Sequence, residues 1–336
     1  MNGWLCVCLM AACAACQLIV FRPGQAAAAD EAGTPRPRII RDKASRAATL
    51  EIPHETAWEL FVADGDTDVP VLAGEGAGSF AVPVPATRHT LFALRMHNET
   101  YLLAERLLPL AGAWNVRDLG GFTGADGRRV KWGRLFRADD LYCLTETDRT
   151  YLASIPVVTV FDFRTEEERI NAPDLLPDSV ARVFACPVRP GKLTPNAVRR
   201  ACAPGEAEAL MCRIYEDLVT DEASLAVYRQ FFERLAEPET IPMLFHCSAG
   251  KDRTGLAAAL LLFALGVDLD EVMEDYLASR VYLKGKYEDT SAFYTVDASF
   301  LGAAITAMET RSGSVEAFLR QELKTDLAAM RARFLE

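Results

Sequence analysis

Between residues 241 and 265 the chain passes from a short apolar stretch, Ile241 to Phe245, through the polar segment His246-Cys247-Ser248-Ala249-Gly250-Lys251-Asp252-Arg253-Thr254-Gly255 into an unbroken apolar run, Leu256 to Leu265. The first apolar stretch has strand length and the second has helix length, so the sequence predicts a strand, a tight loop and a buried helix in direct succession. Such a unit belongs to the α/β class, with a mixed or mostly parallel sheet between helices. A second apolar and β-branched run, Val157 to Phe163, interrupted by Thr159 and Asp162, has the character of an interior parallel strand.

Five residues separate Cys247 from Arg253, which lets a thiol and a guanidinium face one small volume while the intervening amides converge on it. That is a cradle for an oxyanion. Converging amides, a helix N-terminus and nearby cations favour a thiolate, so Cys247 is expected to be ionised at rest. Phosphoryl transfer needs positioning and charge neutralisation, which the planar fork of Arg253 supplies to two oxygens at once. A departing alkoxide or phenoxide also needs a proton. Asp252 is the nearest carboxyl that can provide it, and Gly250 and Gly255 relieve crowding where backbone approaches ligand or sheet.

The segment H-C-x-A-G-K-D-R-T-G resembles the signature of cysteine-dependent protein tyrosine phosphatases, and Lys251-Asp252 narrows the likeness to the bacterial tyrosine/serine/lipid phosphatase group. The resemblance implies a phosphocysteine intermediate, no metal and no cofactor, with the amides of Ser248, Ala249, Gly250, Lys251, Asp252 and Arg253 as phosphate ligands. It implies an α/β, tyrosine phosphatase-like domain with a central sheet flanked by helices. Asn115-Val116-Arg117-Asp118-Leu119-Gly120-Gly121, Gly133 to Ala138, Gly313 to Leu319 and the closing helix also resemble the group, so the likeness covers 111–336.

Around this loop, His246 is a candidate for orienting it or for holding the thiolate, with packing as the alternative. The Thr254 hydroxyl is a candidate for stabilising the sulfur as it departs, and Lys251 for adding charge towards a polyanionic head group or for shaping the loop. Asp162 and Arg164 stand at a strand end, where ligands of open sheets gather. Asp162 is therefore a second candidate for proton donor, or a partner that fixes Arg164 or Arg253. Arg117 and Asp118 either frame the pocket or form a structural ion pair. The tryptophan-proline-aspartate triplet of ordinary tyrosine phosphatases is missing from the sequence, which favours Asp252 as the acid.

Towards the N-terminus, the apolar run Trp4 to Phe21 followed by Ala26 to Ala29 reads as a signal peptide over 1–29. The expected location is therefore exported, periplasmic or secreted, with an uncleaved membrane anchor or a lipoprotein as alternatives. Residues 30–47 read as a linker, and 48–110 as a small antiparallel β-rich module whose core holds Trp58, Phe80 and Phe92. Cys143, Cys186, Cys202, Cys212 and Cys247 follow the leader, and a Cys202–Cys212 pair stands beside the reading of four reduced, buried thiols.

A net charge of −11 argues against nucleic acid as a partner. The expected partner is a phosphorylated protein or a phospholipid, the latter reached at a membrane surface. An inositol polyphosphate phosphatase, a phospho-ligand binding module without turnover and a sulfur transferase remain as alternatives. Arg189 to Glu206 is irregular, basic at Arg199 and Arg200 and rich in Pro and Ala, and the resemblance implies that this neighbourhood can cover the site as a lid.

Overall fold

The computed structural model describes residues 36–63, 69–189, 205–287 and 292–336. The expected signal peptide, almost all of the expected lid and Cys202 lie outside the described residues. Among those residues no helix is long and apolar enough to cross a membrane.

Seven short strands come first: β1 Arg38–Arg41, β2 Ala48–Ile52, β3 Ala57–Val62, β4 Leu72–Glu75, β5 Gly78–Val82, β6 Phe92–Met96 and β7 Glu99–Leu103. They form two antiparallel sheets, ordered β1-β2-β5 and β4-β3-β6-β7. Alternating burial along β2 and β6 gives each strand one inward face. The inward residues Leu50, Trp58, Leu60, Phe92 and Leu94 make a common core, with Phe80 packed 4.7 Å from Trp58 between ring centroids. His97 and Asn98, both at positive φ, turn β6 into β7. Two successive residues of that kind make a turn whose twist suits a hairpin.

The linker expectation for 30–47 is corrected over Arg38–Arg41, which pairs with β2 from Arg38↔Glu51 to Arg41↔Ala48. Its inward face is Ile39 and Arg41. The buried Arg41 guanidinium meets Glu105 at 2.6 Å and the carbonyls of Arg46 and Pro85 at 3.0 and 3.2 Å, the pairing a buried charge requires.

The remaining strands are β8 Arg117–Asp118, β9 Leu135–Ala138, β10 Thr159–Asp162, β11 Arg182–Ala185 and β12 Met243–His246, in the order β11-β10-β12-β9-β8. All pair in parallel except β8 with β9. Alternation along the strands divides the core. Leu135, Phe161, Met243 and Phe245 join one apolar cluster, while Phe136, Ala138, Val160 and Leu244 join another on the opposite face. Helices cover both sides, as the α/β expectation required.

Nine α-helices lie among the described residues: α1 Glu146–Ser154, α2 Glu166–Asn171, α3 Glu206–Thr220, α4 Glu222–Ala236, α5 Arg253–Ala264, α6 Leu269–Tyr282, α7 Ala298–Ser312, α8 Val315–Gln321 and α9 Leu327–Phe334. Thr145 with Asp148 and Thr165 with Glu168 close capping boxes on α1 and α2. Asp268 caps α6 by accepting from the Glu271 amide. Helix α5 is buried along nearly its whole length, so its apolar run faces protein on every side. The register Asp162↔His246 and His246↔Ala138 puts the carboxyl ends of β10, β12 and β9 in one row. That row is where an open parallel sheet gathers ligands.

Candidate active site

The loop from Cys247 to Asp252 joins β12 to α5, and its carbonyls are tied to groups outside it. Cys247 O faces His246 Nδ1 at 3.2 Å. Ser248 O accepts the Asp140 amide at 3.2 Å. Ala249 O and Gly250 O accept Asn115 Nδ2, each at 3.2 Å, and Gly250 O also accepts Arg137 Nη2 at 2.7 Å. Because a peptide's N–H points opposite to its C=O, anchoring the carbonyls outside turns the following amides towards the loop centre. The amides of Ser248, Ala249, Gly250, Lys251 and Asp252 donate to no protein group among the described residues. Buried amides normally have partners, so this ring is built for an external acceptor.

Gly250 has φ +65, and a Cβ there would stand 2.3 Å from Ala138 O. Only glycine gives both that conformation and that approach. Cys247 is 2% exposed and Arg253 is 7% exposed, so both reactive groups are screened from water.

Arg253 forks onto Glu168 of α2, with Nη1 at 2.8 Å and Nη2 at 2.7 Å from the two carboxylate oxygens. Nη1 also points at Phe163 O and Val188 O. The edge formed by Nε and Nη2 is left towards the loop, where Ser248 Oγ stands 3.5 Å from Nη2. Glu168 further accepts Ser248 Oγ at 2.6 Å. Burial raises the Glu168 pKa, but the bonds from Arg253 and Ser248 outweigh it and hold the carboxyl down at about 2.

Asp252 accepts Lys251 Nζ on both oxygens, at 2.9 and 2.7 Å, and the Tyr215 hydroxyl at 2.8 Å. The Lys251 side chain is only 3% exposed. Its ammonium is therefore directed to its neighbour, the loop-shaping alternative, and not outward to a polyanionic head group. Thr254 is fully buried and its hydroxyl has no partner among the described residues.

Asp162 and Arg164 do not enter the cradle. Arg164 binds Asp162 through its backbone amide, Nε and Nη2, and reaches Asp174 at 2.6 Å and Ala172 O at 2.7 Å. Of the two roles the sequence left open for Asp162, the geometry is that of the partner that fixes Arg164. His246 completes the cluster, its Nε2 at ion-pair distance, 3.3 Å, from Asp174. Burial disfavours the imidazolium, but Asp174 and Asp162 outweigh burial and raise the pKa. His246 thus holds the Cys247 carbonyl from behind, as an orienting group. The acceptor atoms of Asp162, Asp174 and His246 lie close enough to suit a metal ion, but the Arg164 guanidinium already bridges both carboxylates.

Arg117 and Asp118 do not pair with each other, since neighbours on a strand point to opposite faces. Arg117 binds Asp275 of α6 at 2.7 Å, and Arg137 takes the other Asp275 oxygen at 2.6 Å. Burial opposes ionisation of Asp275, but the two guanidiniums outweigh it and hold the carboxyl well below the usual range. Through Arg137 and Asn115 this network carries the back of the loop. Asp118 instead accepts the amides of Gly120 and Gly133, at 2.8 and 2.7 Å.

Glu168, Asn115, Arg137, Asp174, Asp275 and Tyr215 were not among the sequence candidates. Asn115 and Arg137 lay in segments that carry the resemblance without being singled out, and Glu168 had the Thr165-x-x-Glu168 cap pattern, which speaks only of the helix. No disulfide joins Cys143, Cys186, Cys212 and Cys247.

Residues 108–336 match the family model described as the tyrosine phosphatase family. A Cupriavidus necator protein carrying a tyrosine-protein phosphatase name is 34% identical over 247 residues, 66% of this chain and 85% of that one. The Mycobacterium tuberculosis triple specificity protein phosphatase PtpB is 31% identical over 201 residues, 53% of this chain and 70% of its own. Among solved structures, Pseudomonas aeruginosa TpbA in complex with phosphotyrosine aligns over 60% of this chain and 85% of its own, at 17% identity and a TM-score of 0.25.

Proposed function

This chain belongs to the tyrosine phosphatase family, and from that premise we propose that it hydrolyses phosphotyrosine through a phosphocysteine on Cys247. The observation that supports this most directly is the ring of unpaired amides around a buried cysteine, with the Nε–Nη2 edge of Arg253 beside it.

In this cycle the Cys247 thiolate attacks phosphorus in line as the bond to the ester oxygen breaks. The amides of Ser248 to Arg253 and the free edge of Arg253 bind the three equatorial oxygens, whose charge is spread in the transition state. Asp252 gives its proton to the leaving oxygen. Water then attacks the phosphocysteine, Asp252 takes the proton from that water, and Cys247 leaves as thiolate. The unpaired Thr254 hydroxyl is a donor for the departing sulfur.

Phosphotyrosine protein is the first substrate class, in keeping with the names of the relatives, and phosphoinositide is the second. Lys251, the residue that would have favoured an inositol head group, is bound to Asp252. An exported location rests on the sequence from Trp4 to Ala29. The test is phosphate release by the full chain from a phosphotyrosine peptide, a phosphoserine peptide, phosphoinositide vesicles and a soluble inositol polyphosphate. The proposal predicts the highest kcat/KM on phosphotyrosine. A tenfold preference for either inositol substrate would reassign the substrate class.

A further inference from the structure

Asp252 stands at the N-cap of α5, yet its side chain accepts nothing from that helix. Its Oδ1 accepts the Tyr215 hydroxyl at 2.8 Å, and the Tyr215 oxygen accepts the Tyr276 hydroxyl at 2.7 Å. The two phenols come from α3 and α6, are fully buried, and meet edge to face with centroids 6.1 Å apart. Burial pushes both well above the usual tyrosine range, so both hydroxyls keep their protons. Phenylalanine would fill the same space. A buried hydroxyl needs a partner, and this pair finds its partners in a row that ends on one carboxylate oxygen.

The row has a fixed direction. An ionised carboxylate only accepts, so Tyr215 must donate to Oδ1, and its oxygen is then available to Tyr276. Oδ1 takes two donors, Tyr215 and Lys251, while Oδ2 takes Lys251 alone, so a proton arriving on Asp252 has the open lone pair of Oδ2 to settle on. Lys251, buried and 2.9 and 2.7 Å from the two oxygens, does not tell them apart, whereas Tyr215 reaches Oδ1 alone.

We propose that Tyr215, backed by Tyr276, is a positioning residue for the acid step, fixing Oδ1 of Asp252 as an acceptor and leaving Oδ2 to carry the proton delivered to the leaving oxygen. This rests on Asp252 being the proton donor. The bond that breaks is the ester P–O bond, its oxygen leaves with the proton from Oδ2, and Tyr215 exchanges no proton in the step.

The test is kcat/KM, which reports transfer to Cys247, for full-length Tyr215→Phe, Tyr276→Phe and Asp252→Asn on aryl phosphates of rising leaving-group pKa and one alkyl phosphate. Tyr215→Phe should lose about tenfold on phenyl and alkyl phosphate, the scale of one hydrogen bond to a charged group, and less than about twofold on a dinitrophenyl ester. Tyr276→Phe should move the same way by about threefold, and it carries the test if Tyr215→Phe does not fold, since it leaves the bond to Asp252 in place. Adding Tyr215→Phe to Asp252→Asn should change nothing further.

A loss uniform across the series, or one that persists in the Asp252→Asn background, would overturn the positioning role while leaving Asp252 as the donor. If Asp252→Asn itself showed no dependence on the leaving group, the assignment of the donor would fall and the positioning role with it. Inhibition by orthovanadate, unchanged in the Tyr variants, separates these outcomes from damage to the cradle.

Discussion

Replacing Glu168 with glutamine tests how much of the catalytic power of Arg253 depends on a residue far from it in sequence. Glutamine keeps one acceptor but sets an amide NH2 against a guanidinium. One of the bonds at 2.8 and 2.7 Å is lost, and the other loses its charge assistance. A hydrogen bond to a charged group contributes about 1.5–3 kcal/mol and a neutral one about half that. Glu168 is about a third exposed, so water replaces part of the loss, which leaves about 2 kcal/mol. At about 1.4 kcal/mol per factor of ten, kcat/KM should fall about 30-fold. The assay is steady-state hydrolysis of an aryl phosphate beside a thermal melt that verifies folding. A folded Glu168→Gln protein within about twofold of wild type would refute the clamp, leaving Phe163 O and Val188 O to orient Arg253 alone. A rise in activity would mean that Glu168 competes with substrate for the guanidinium.

Three further outcomes follow from the same geometry. The folded-state pKa of Glu168 is depressed from 4.5 to about 2, so its contribution to stability is present above pH 4.5 and is lost as the pH falls towards 2. Denaturation midpoints across that window should drop in wild type and less steeply in Glu168→Gln. Gly250→Ala meets both a positive φ and the Ala138 carbonyl at 2.3 Å. It should destabilise by about 2–3 kcal/mol in chemical denaturation and leave under a tenth of the activity. Asp275→Asn strips the counter-charge from two fully buried guanidiniums and should cost about 3–5 kcal/mol, read as a lowered melting temperature.

The loop was legible because its chemistry lies in ten consecutive residues whose flanks announce a strand and a helix. Cys247 and Arg253 stand out by residue type and spacing, while the preference for Asp252 over Asp162 as the acid also leans on the resemblance. What holds the loop was not legible. Asn115, Arg137 and Glu168 reach it from three distant stretches of the chain, with Asp275 behind Arg137, and no local pattern tells a buried arginine that supports a loop from one that faces water. Arg117 and Asp118 show how the sequence misleads, since adjacency suggests pairing while the pleat of β8 sends the two apart. Asp162 ends β10 and Arg164 follows it in the next loop, and the pairing that the sequence offered as one alternative is the one that forms. Strand β1 hid in a Pro- and Arg-rich stretch because one of its two inward residues is Arg41, whose partner Glu105 lies 64 residues away. The β-rich core around Trp58 and Phe92 followed readily from alternation.

The most direct test of a thiolate mechanism is to trap the covalent intermediate. Full-length protein is mixed with a labelled phosphotyrosine peptide in the presence of chelator, quenched within milliseconds and mapped by mass spectrometry. The account predicts phosphate on Cys247, none on the Cys247→Ser protein, and loss of turnover in that variant with peptide still bound. Wild-type turnover by Cys247→Ser, or label found only elsewhere in the chain, would contradict it.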